Sequence, residues 1–404
     1  MKIVIFTENN KGGGMDTFIA SLIKNWPNKD EFTVMCNHNH PGLQYLKNIL
    51  PKNVEVKTHL LPLNWSFLSG FLNHLPMIIQ RMTRQVLRPL LAPYQYLKIK
   101  QMIKKSKADQ LISVNGGYPG GETCRLANIA WFSLYKKKSI HNFHNYSVKY
   151  RAIFAPYELL IDRKLNNSCS NIISVSKDCA QSIRQRPIFK NSKKISFIYN
   201  SLYNNPLINN TSFVKQRYGI THNSKIILMI GTFEPRKGHR YLLNAMTEVF
   251  KKQNNIDLFF IGSGTEKEIS AIKSLVSEFK WNYRIHFTGF VSNISEFMSV
   301  ADILVIPSQE FESFGLAAIE AMSYGVPIVS TNVGGLPETI GDNGYCGFHS
   351  GIDNIYGFSK NIIRLLEDDS LAKQMGENGM SRANLLFRPD RMAKEYQSLI
   401  KKIS

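Results

Sequence analysis

The chain has 404 residues, 43% of them hydrophobic, an ordinary content for a soluble globular protein and enough length for two domains with a core each. Its five cysteines (Cys36, Cys124, Cys169, Cys179 and Cys346) are scattered, odd in number and without a C-x-x-C pair, which argues for a reducing compartment and against a disulfide frame or a zinc site. The formal net charge of +20 is uneven: residues 1–200 hold 29 Lys+Arg against 10 Asp+Glu, and residues 201–404 hold 21 against 20. Such a one-sided field favours an anionic partner, either a membrane surface or a nucleic acid.

The run from Met1 to Phe6 is too short for a signal peptide and reads as a first strand leading into Glu8 and Asn9. Further strands are expected over 32–36, 54–60, 110–114, 138–143, 172–175 and 195–199, with helical segments between them. Lys11-Gly-Gly-Gly14 follows the first strand as a glycine-rich turn. The interval 58–80 has no Asp, Glu, Lys or Arg and includes Trp65, Phe67, Phe71 and Leu72, so it is long enough to raise a transmembrane reading. Asn64, Ser66, Ser69, Gly70, Asn73, His74 and Pro76 argue against spanning. A basic, amphipathic run over 81–107 follows directly, and 56–108 carries nine basic residues and no acidic one. Aromatic and basic neighbours suit an interfacial element, so peripheral docking on an anionic inner leaflet is expected, with Arg81, Arg84 and Arg88 as docking cations. The alternative is a solvated basic helix over an ordinary core. His141 and His144 stand at the end of the strand expected over 138–143, on opposite faces if the strand continues that far. Ser176 follows a strand and reads as the N-cap of a polar helix over 177–185.

Strands over 225–230, 256–261, 285–288, 303–306 and 327–330 alternate with helical segments near 239–251, 266–280, 294–300 and 315–324. They read as buried parallel strands, and the whole chain as two doubly wound α/β domains. The polar stretch 200–212 reads as the linker, and 389–404 as a last helix with Pro389 near its first position. Ligands of such sheets sit at the carboxyl ends of strands, and every motif below follows a strand.

Glu312-Ser-Phe-Gly-Leu-Ala-Ala-Ile-Glu320 places two carboxylates eight positions apart across a Phe-Gly turn, followed by Gly325-Val-Pro327 and Gly334-Gly-Leu-Pro-Glu338. Gly315 is permissive enough to start a helix close to a ligand, and the free N–H groups of that start make an anion site between the two acids. Hydroxyls, diphosphate and hydroxyls, the layout of a sugar nucleotide, fit such a site. Arg236 and Lys237 supply planar paired donors and a point charge in the loop Gly231 to Gly238. Gly262-Ser-Gly264 superficially resembles a dinucleotide fingerprint, but the third glycine is missing. No Asp-x-Asp metal motif appears.

In these motifs, densest from Gly231 to Glu338, the chain resembles the retaining GT-B glycosyltransferases of family 4, also called glycosyl transferases group 1. The resemblance implies a GT-B architecture: two doubly wound, Rossmann-like parallel-sheet domains facing across a cleft. Residues 1–205 would bind the acceptor, 206–385 the nucleotide sugar, and 386–404 would be a terminal helix crossing back to the first domain. It implies that Glu312 faces the transferred sugar, Glu320 holds the ribose hydroxyls, and Lys237 and Arg236 neutralise the donor diphosphate. One departure stands out: a related pattern has a basic residue directly after the first glycine, where this chain has Thr232, and Arg236 is expected to substitute. Backbone groups at Phe314, Gly315 and Leu316 would help bind sugar and phosphate; the Gly262 and Gly264 turn would let the nucleotide approach. Phe290 and Val291 either contact the base or simply pack. Gly13 and Gly14 would line the site near the donor phosphates, Asp16 would take an acceptor hydroxyl, and His141 is favoured over His144 as the residue touching donor sugar or acceptor.

The expected reaction is retaining transfer without a metal or any other cofactor, the donor being a substrate: a uridine diphosphate sugar first, guanosine diphosphate mannose second. A glycan or lipid-linked acceptor of a surface polysaccharide is expected, on the cytoplasmic face of the plasma membrane. An epimerase or phosphorylase of the same architecture, a nucleic-acid-binding protein and a sugar-binding pseudoenzyme are the alternatives. No zinc pattern or ribonucleoprotein motif supports nucleic acid.

Overall fold

The computed structural model describes residues 1–10, 12–150, 152–202 and 212–403. The chain divides into two compact units, Met1–Tyr203 with Pro389–Ser404, and Asn204–Arg388. Most of the expected linker, 203–211, lies outside the described residues.

Unit 1 is a seven-stranded parallel sheet of β1 (Lys2–Glu8), β2 (Glu31–Asn37), β3 (Glu55–His59), β4 (Gln110–Asn115), β5 (Ser139–Phe143), β6 (Cys169–Ser174) and β7 (Ile195–Phe197), in the order β3-β2-β1-β4-β5-β6-β7. Ile3, Val4, Ile5 and Phe6 of β1 are all fully buried, as a strand covered on both faces requires. Ile5 pairs with Val34 on one side and Ile112 on the other. The strand order reverses between β1 and β4, so the loops after them part and leave a crevice at the carboxyl ends. One face of the sheet is covered by helix Gly14–Lys24 and by the terminal helix Pro389–Lys401, whose Met392, Ala393, Tyr396 and Ile400 join that core. The Tyr396 hydroxyl accepts a 2.6 Å hydrogen bond from Asn142 Nδ2, so the last helix is part of the first unit's interior.

On the other face lies the 30-residue helix Met77–Ser106, packed on helix Glu122–Tyr135. It is longer than the basic run implied and contains Pro89 and Pro93. Ala92, Gln95, Ile99 and Ile103 point inward. Ile79, Met82, Val86, Leu90, Tyr94 and Leu97, at spacings of three and four, are exposed. No helix among the described residues is long and apolar enough to cross a membrane. Ser176 caps its helix as expected, accepting the Cys179 N–H at 3.1 Å.

Unit 2 holds six parallel strands, β8 (Lys225–Ile230), β9 (Ile256–Ile261), β10 (Ile285–Gly289), β11 (Ile303–Ile306), β12 (Ile328–Thr331) and β13 (Gly347–Ser350), in the order β10-β9-β8-β11-β12-β13. Here the order reverses between β8 and β11. β13 is absent from the sequence reading: it is four residues long, starts at a glycine and carries His349, so it has no apolar run to announce it. Gly347 is required there, because a Cβ would stand 1.9 Å from the Ile328 carbonyl oxygen.

Candidate functional site

The loops that follow β8, β9, β11 and β12 all leave the carboxyl edge of the second sheet around its reversal point. Lys237 ends the loop after β8 in a short 3-10 turn, Pro235–Lys237. Its Nζ donates to Glu312 Oε2 at 2.5 Å, and Ser308 Oγ donates to the same oxygen at 3.2 Å. Glu312 lies in the loop after β11, so the two strands flanking the reversal each supply one member of a half-buried ion pair. The loops are tied by Gln309 N–H donating to the Arg236 carbonyl at 2.7 Å and by Gly335 N–H donating to the Glu312 carbonyl at 2.8 Å. Gly238 has φ 82°, and any Cβ there would meet the Pro307 oxygen at 1.9 Å; only glycine lets the loops close on each other. Arg236 is held by Glu234, at 2.6 Å, and stacks over the Phe311 ring at 4.9 Å.

Gly315, at φ 92°, opens helix Leu316–Ser323. Leu316 and Ala317, as its first residues, have no intrahelical acceptor for their N–H groups. Glu320 sits on the second turn of that helix, half-buried, with no carboxylate partner among the described residues. Burial raises its pKa to about 7. Phe314 contributes only backbone: its ring is buried edge-on against Phe387, 5.5 Å away. Gly262 brings the end of β9 against β8, since a Cβ would stand 1.8 Å from the Gly231 oxygen, and Gly264 packs against Phe233. Phe290 is 77% exposed and Val291 half-buried after the edge strand β10, two strand-widths, about 10 Å, from β8.

In unit 1, Gly13 and Gly14 line a cavity of about 490 Å³ at the reversal between β1 and β4. Asp16 corrects the expectation of a hydroxyl acceptor. Its carboxylate is buried, with Oδ1 2.8 Å from His40 Nε2 and Oδ2 accepting the Gly13 N–H at 3.2 Å, so it shapes the glycine loop instead. His141 is likewise corrected. It is fully buried in β5, with Nδ1 2.7 Å from Ser113 Oγ, and burial together with Arg125 lowers its pKa to about 3. It faces the sheet interior rather than the cavity. His144, one residue past the end of β5, packs edge-on against Phe18 at 4.4 Å.

Sequence reasoning missed two arrangements. Arg125 and Arg186 are buried among Glu158 and Asp162, with Glu122 bonded to Arg125 and Arg88 bonded to Glu158 at 3.2 Å. Burial alone would raise the Glu158 pKa, but Arg125, Arg88 and Arg186 hold it down at about 2. Arg88 is therefore not a docking cation: it also donates to the Gly120 carbonyl at 3.1 Å. The second is Glu8, on the cavity wall, which accepts from Trp65 Nε1 at 2.6 Å and from Thr123 Oγ1 and N at 2.6 and 3.0 Å. One signal was available: acids are scarce in residues 1–200, so each one retained there invites an account. Among the described residues, no group of three or more His, Cys, Asp or Glu is placed to hold a metal ion.

Residues 210–382 match the family model described as Glycosyl transferases group 1. N-acetyl-alpha-D-glucosaminyl L-malate synthase of Bacillus anthracis is 29% identical over 215 residues, 52% of this chain and 55% of that protein. The capsular polysaccharide biosynthesis glycosyltransferase CapM of Staphylococcus aureus is 24% identical over 71% of this chain and 75% of that one. The chain thus spans about half the length of the first curated relatives it matches, from 41% to 60%. Among solved structures, a glycosyltransferase from Rickettsia africae ESF-5 aligns with a TM-score of 0.78 at 19% identity, covering 100% of this chain and 98% of that one. Anabaena HepE in complex with UDP and glucose aligns at 0.75 and 17%, covering 100% of both chains. The two parallel-sheet domains are thus of GT-B type, and residues 210–382 are similar to the glycosyl transferases group 1 family.

Proposed function

We propose that this protein is a retaining glycosyltransferase that moves a sugar from a nucleotide diphosphate to a glycan or lipid-linked acceptor in surface polysaccharide synthesis. The observation that carries the reading is the Lys237–Glu312 pair at the β8/β11 reversal, beside a helix start with free N–H groups and the unpartnered Glu320. As the glycosidic bond breaks, negative charge grows on the departing diphosphate. Lys237, Arg236 and the N–H groups of Leu316 and Ala317 neutralise it, with no need for a tightly held divalent ion. Glu320 accepts ribose hydroxyls, and Glu312, oriented by Lys237 and Ser308, faces the transferred sugar. The diphosphate takes the acceptor's proton as the acceptor attacks from the same face, so no glycosidase-like carboxylate pair is required. The relatives named for capsule and O-antigen synthesis support a polysaccharide acceptor. The exposed apolar stripe from Ile79 to Leu97, in the basic first half, supports work at an anionic membrane surface.

The test is a hydrolysis and transfer panel across uridine diphosphate sugars and guanosine diphosphate mannose, with the product anomer read by NMR. One donor is expected to turn over with retention and to do so in the presence of a chelator. Glu312→Ala is expected to lower turnover by orders of magnitude, several kcal/mol at the transition state. An inverted product, abolition by the chelator, or a near-wild-type Glu312→Ala rate each removes the corresponding part of the reading. Phosphorolysis by inorganic phosphate would favour the phosphorylase alternative.

A further inference from the structure

Two consecutive residues after β8 meet two consecutive residues after β11. Lys237 Nζ reaches Glu312, and the Arg236 guanidinium lies over the ring of Phe311, 4.9 Å from its centroid. The backbone is fixed to match. Lys237 N–H donates to the Glu234 carbonyl at 2.9 Å and Gly238 N–H to the Pro235 carbonyl at 3.1 Å, which closes the 3-10 turn that carries both cations. The Arg236 carbonyl accepts the Gln309 N–H at 2.7 Å, so main chain and side chain of Arg236 are both tied to the β11 loop. Glu234 takes the Nε–H at 2.6 Å, and the Arg236 and Glu234 side chains are only 22% and 27% exposed. One face of the guanidinium is thus covered by a half-buried ring and Nε is taken by a carboxylate. Nη1 and Nη2 have no protein partner among the described residues. They form the edge that meets two phosphate oxygens at once.

Thr232 gives this hold its consequence. It stands where a related pattern has a basic residue, yet it is neutral and its Oγ1 is buried. Within Gly231 to Gly238 the cations are Arg236 and Lys237, and Lys237 is already paired with Glu312. A free arginine gives up rotamer freedom when it binds an anion, whereas one held beforehand has little left to lose.

We infer that Phe311 and Glu234 are positioning residues for the donor diphosphate: ring and carboxylate hold Arg236 with its Nη edge preset for the phosphate that leaves the sugar. That phosphate is the one concerned because Phe311 adjoins Glu312, the residue proposed to face the transferred sugar. This role rests on the glycosyltransferase reading and deepens its donor side.

The test is calorimetric titration of the full chain with UDP, UMP, GDP and GMP. The affinity ratio of diphosphate to monophosphate isolates the pull on the terminal phosphate, and structural damage would weaken both ligands alike. Arg236→Gln is expected to lower the ratio about ten-fold, and Phe311→Leu about three-fold with the monophosphate unchanged. Phe311→Tyr, which keeps the aromatic face, is expected to stay within about two-fold of wild type. Glu234→Ala is expected to lower the ratio several-fold, and Glu234→Gln, which keeps an acceptor for Nε, to leave it at or above wild type. In an Arg236→Gln background Phe311→Leu is expected to change nothing further, because its effect runs through the guanidinium. A full Phe311→Leu effect in that background, an unchanged ratio in Phe311→Leu, or a raised ratio in Glu234→Ala would overturn the inference; the last would make the carboxylate a competitor of the diphosphate. In each of those cases a wild type that prefers the diphosphate keeps the donor reading standing. A wild type that binds none of the four nucleotides would sink the donor reading and these positioning roles with it.

Discussion

Glu320 is a carboxylate that the fold prefers uncharged. Its usual pKa is 4.5, and burial raises it to about 7 in the folded chain. Between those values the folded state holds a proton that the unfolded state has lost, so stability falls as pH rises through that window and levels off above it. Glu320→Gln removes the penalty. The variant is expected to unfold at the same urea concentration as wild type near pH 4 and to be more stable at pH 8, by about 1–3 kcal/mol. A less stable variant at pH 8 would show that the charged form has a partner after all. The same residue is proposed to hold donor hydroxyls, whose hydrogen bonds favour the ionised form. Donor binding near pH 6.5 is therefore expected to release protons, measurable as a calorimetric heat that changes with the buffer's ionisation enthalpy, and Glu320→Gln is expected to abolish that dependence. His141 is the opposite case. Its pKa of about 3 keeps it neutral across the working range, so the rate profile between pH 5 and 8 should show no inflection that His141→Gln removes.

At the scale of elements, glycine positions hold the second sheet's carboxyl edge together. Gly262 has φ 154°, and its missing Cβ makes room for the Gly231 oxygen. Gly262→Ala is expected to cost about 3 kcal/mol and lower the melting temperature by about 6–10 °C, with loss of donor affinity because the loop carrying Lys237 must shift. A variant that melts and binds like wild type would make the close approach unimportant. The strands with continuous apolar runs, such as Ile3 to Phe6 and Ile226 to Met229, were legible in the sequence because burial on both faces leaves no other composition. The β8 and β11 loop motifs were legible because their spacing places chemistry after strands. β13 was not, since its partner supplies the order that its own residues do not. Side-chain direction was the other blind spot. Asp16, in the first turn of helix Gly14–Lys24, and His141, in β5, stand near the carboxyl edge of the first sheet, but whether a polar group turns outward or into a private hydrogen-bond network depends on His40, Ser113 and Asn128, which are distant in sequence. The Arg125–Glu158–Asp162–Arg186 cluster is likewise assembled from separate elements.

For the molecule as a whole, the excess charge and most of the exposed large apolar residues fall in the same half of the chain. Residues 1–200 carry nearly all of the excess positive charge, and helix Met77–Ser106 presents Met82, Val86, Leu90 and Leu97 to solvent at 54%, 45%, 68% and 58% exposure. A soluble surface rarely leaves so long a stripe open, and cations beside it favour an anionic bilayer over a neutral one. Of the basic residues on this helix, Arg81, Lys98, Lys104 and Lys105 are exposed, whereas Arg88 is bound to Glu158. Flotation with vesicles of phosphatidylglycerol and phosphatidylcholine is expected to recover the protein, and pure phosphatidylcholine to recover much less. Replacing Arg81, Lys98, Lys104 and Lys105 with Gln should reduce binding to the anionic vesicles, each cation near the surface being worth about 1 kcal/mol, and raising the salt should do the same in wild type. Replacing Met82, Val86 and Leu90 with Ser should lose the salt-resistant remainder, since that part comes from apolar area entering the interface. Equal recovery by both vesicle types would remove the electrostatic part of the argument. If the Ser variant instead converts a dimer in light scattering to a monomer while flotation is unchanged, the stripe is covered by a second copy of the chain and not by lipid.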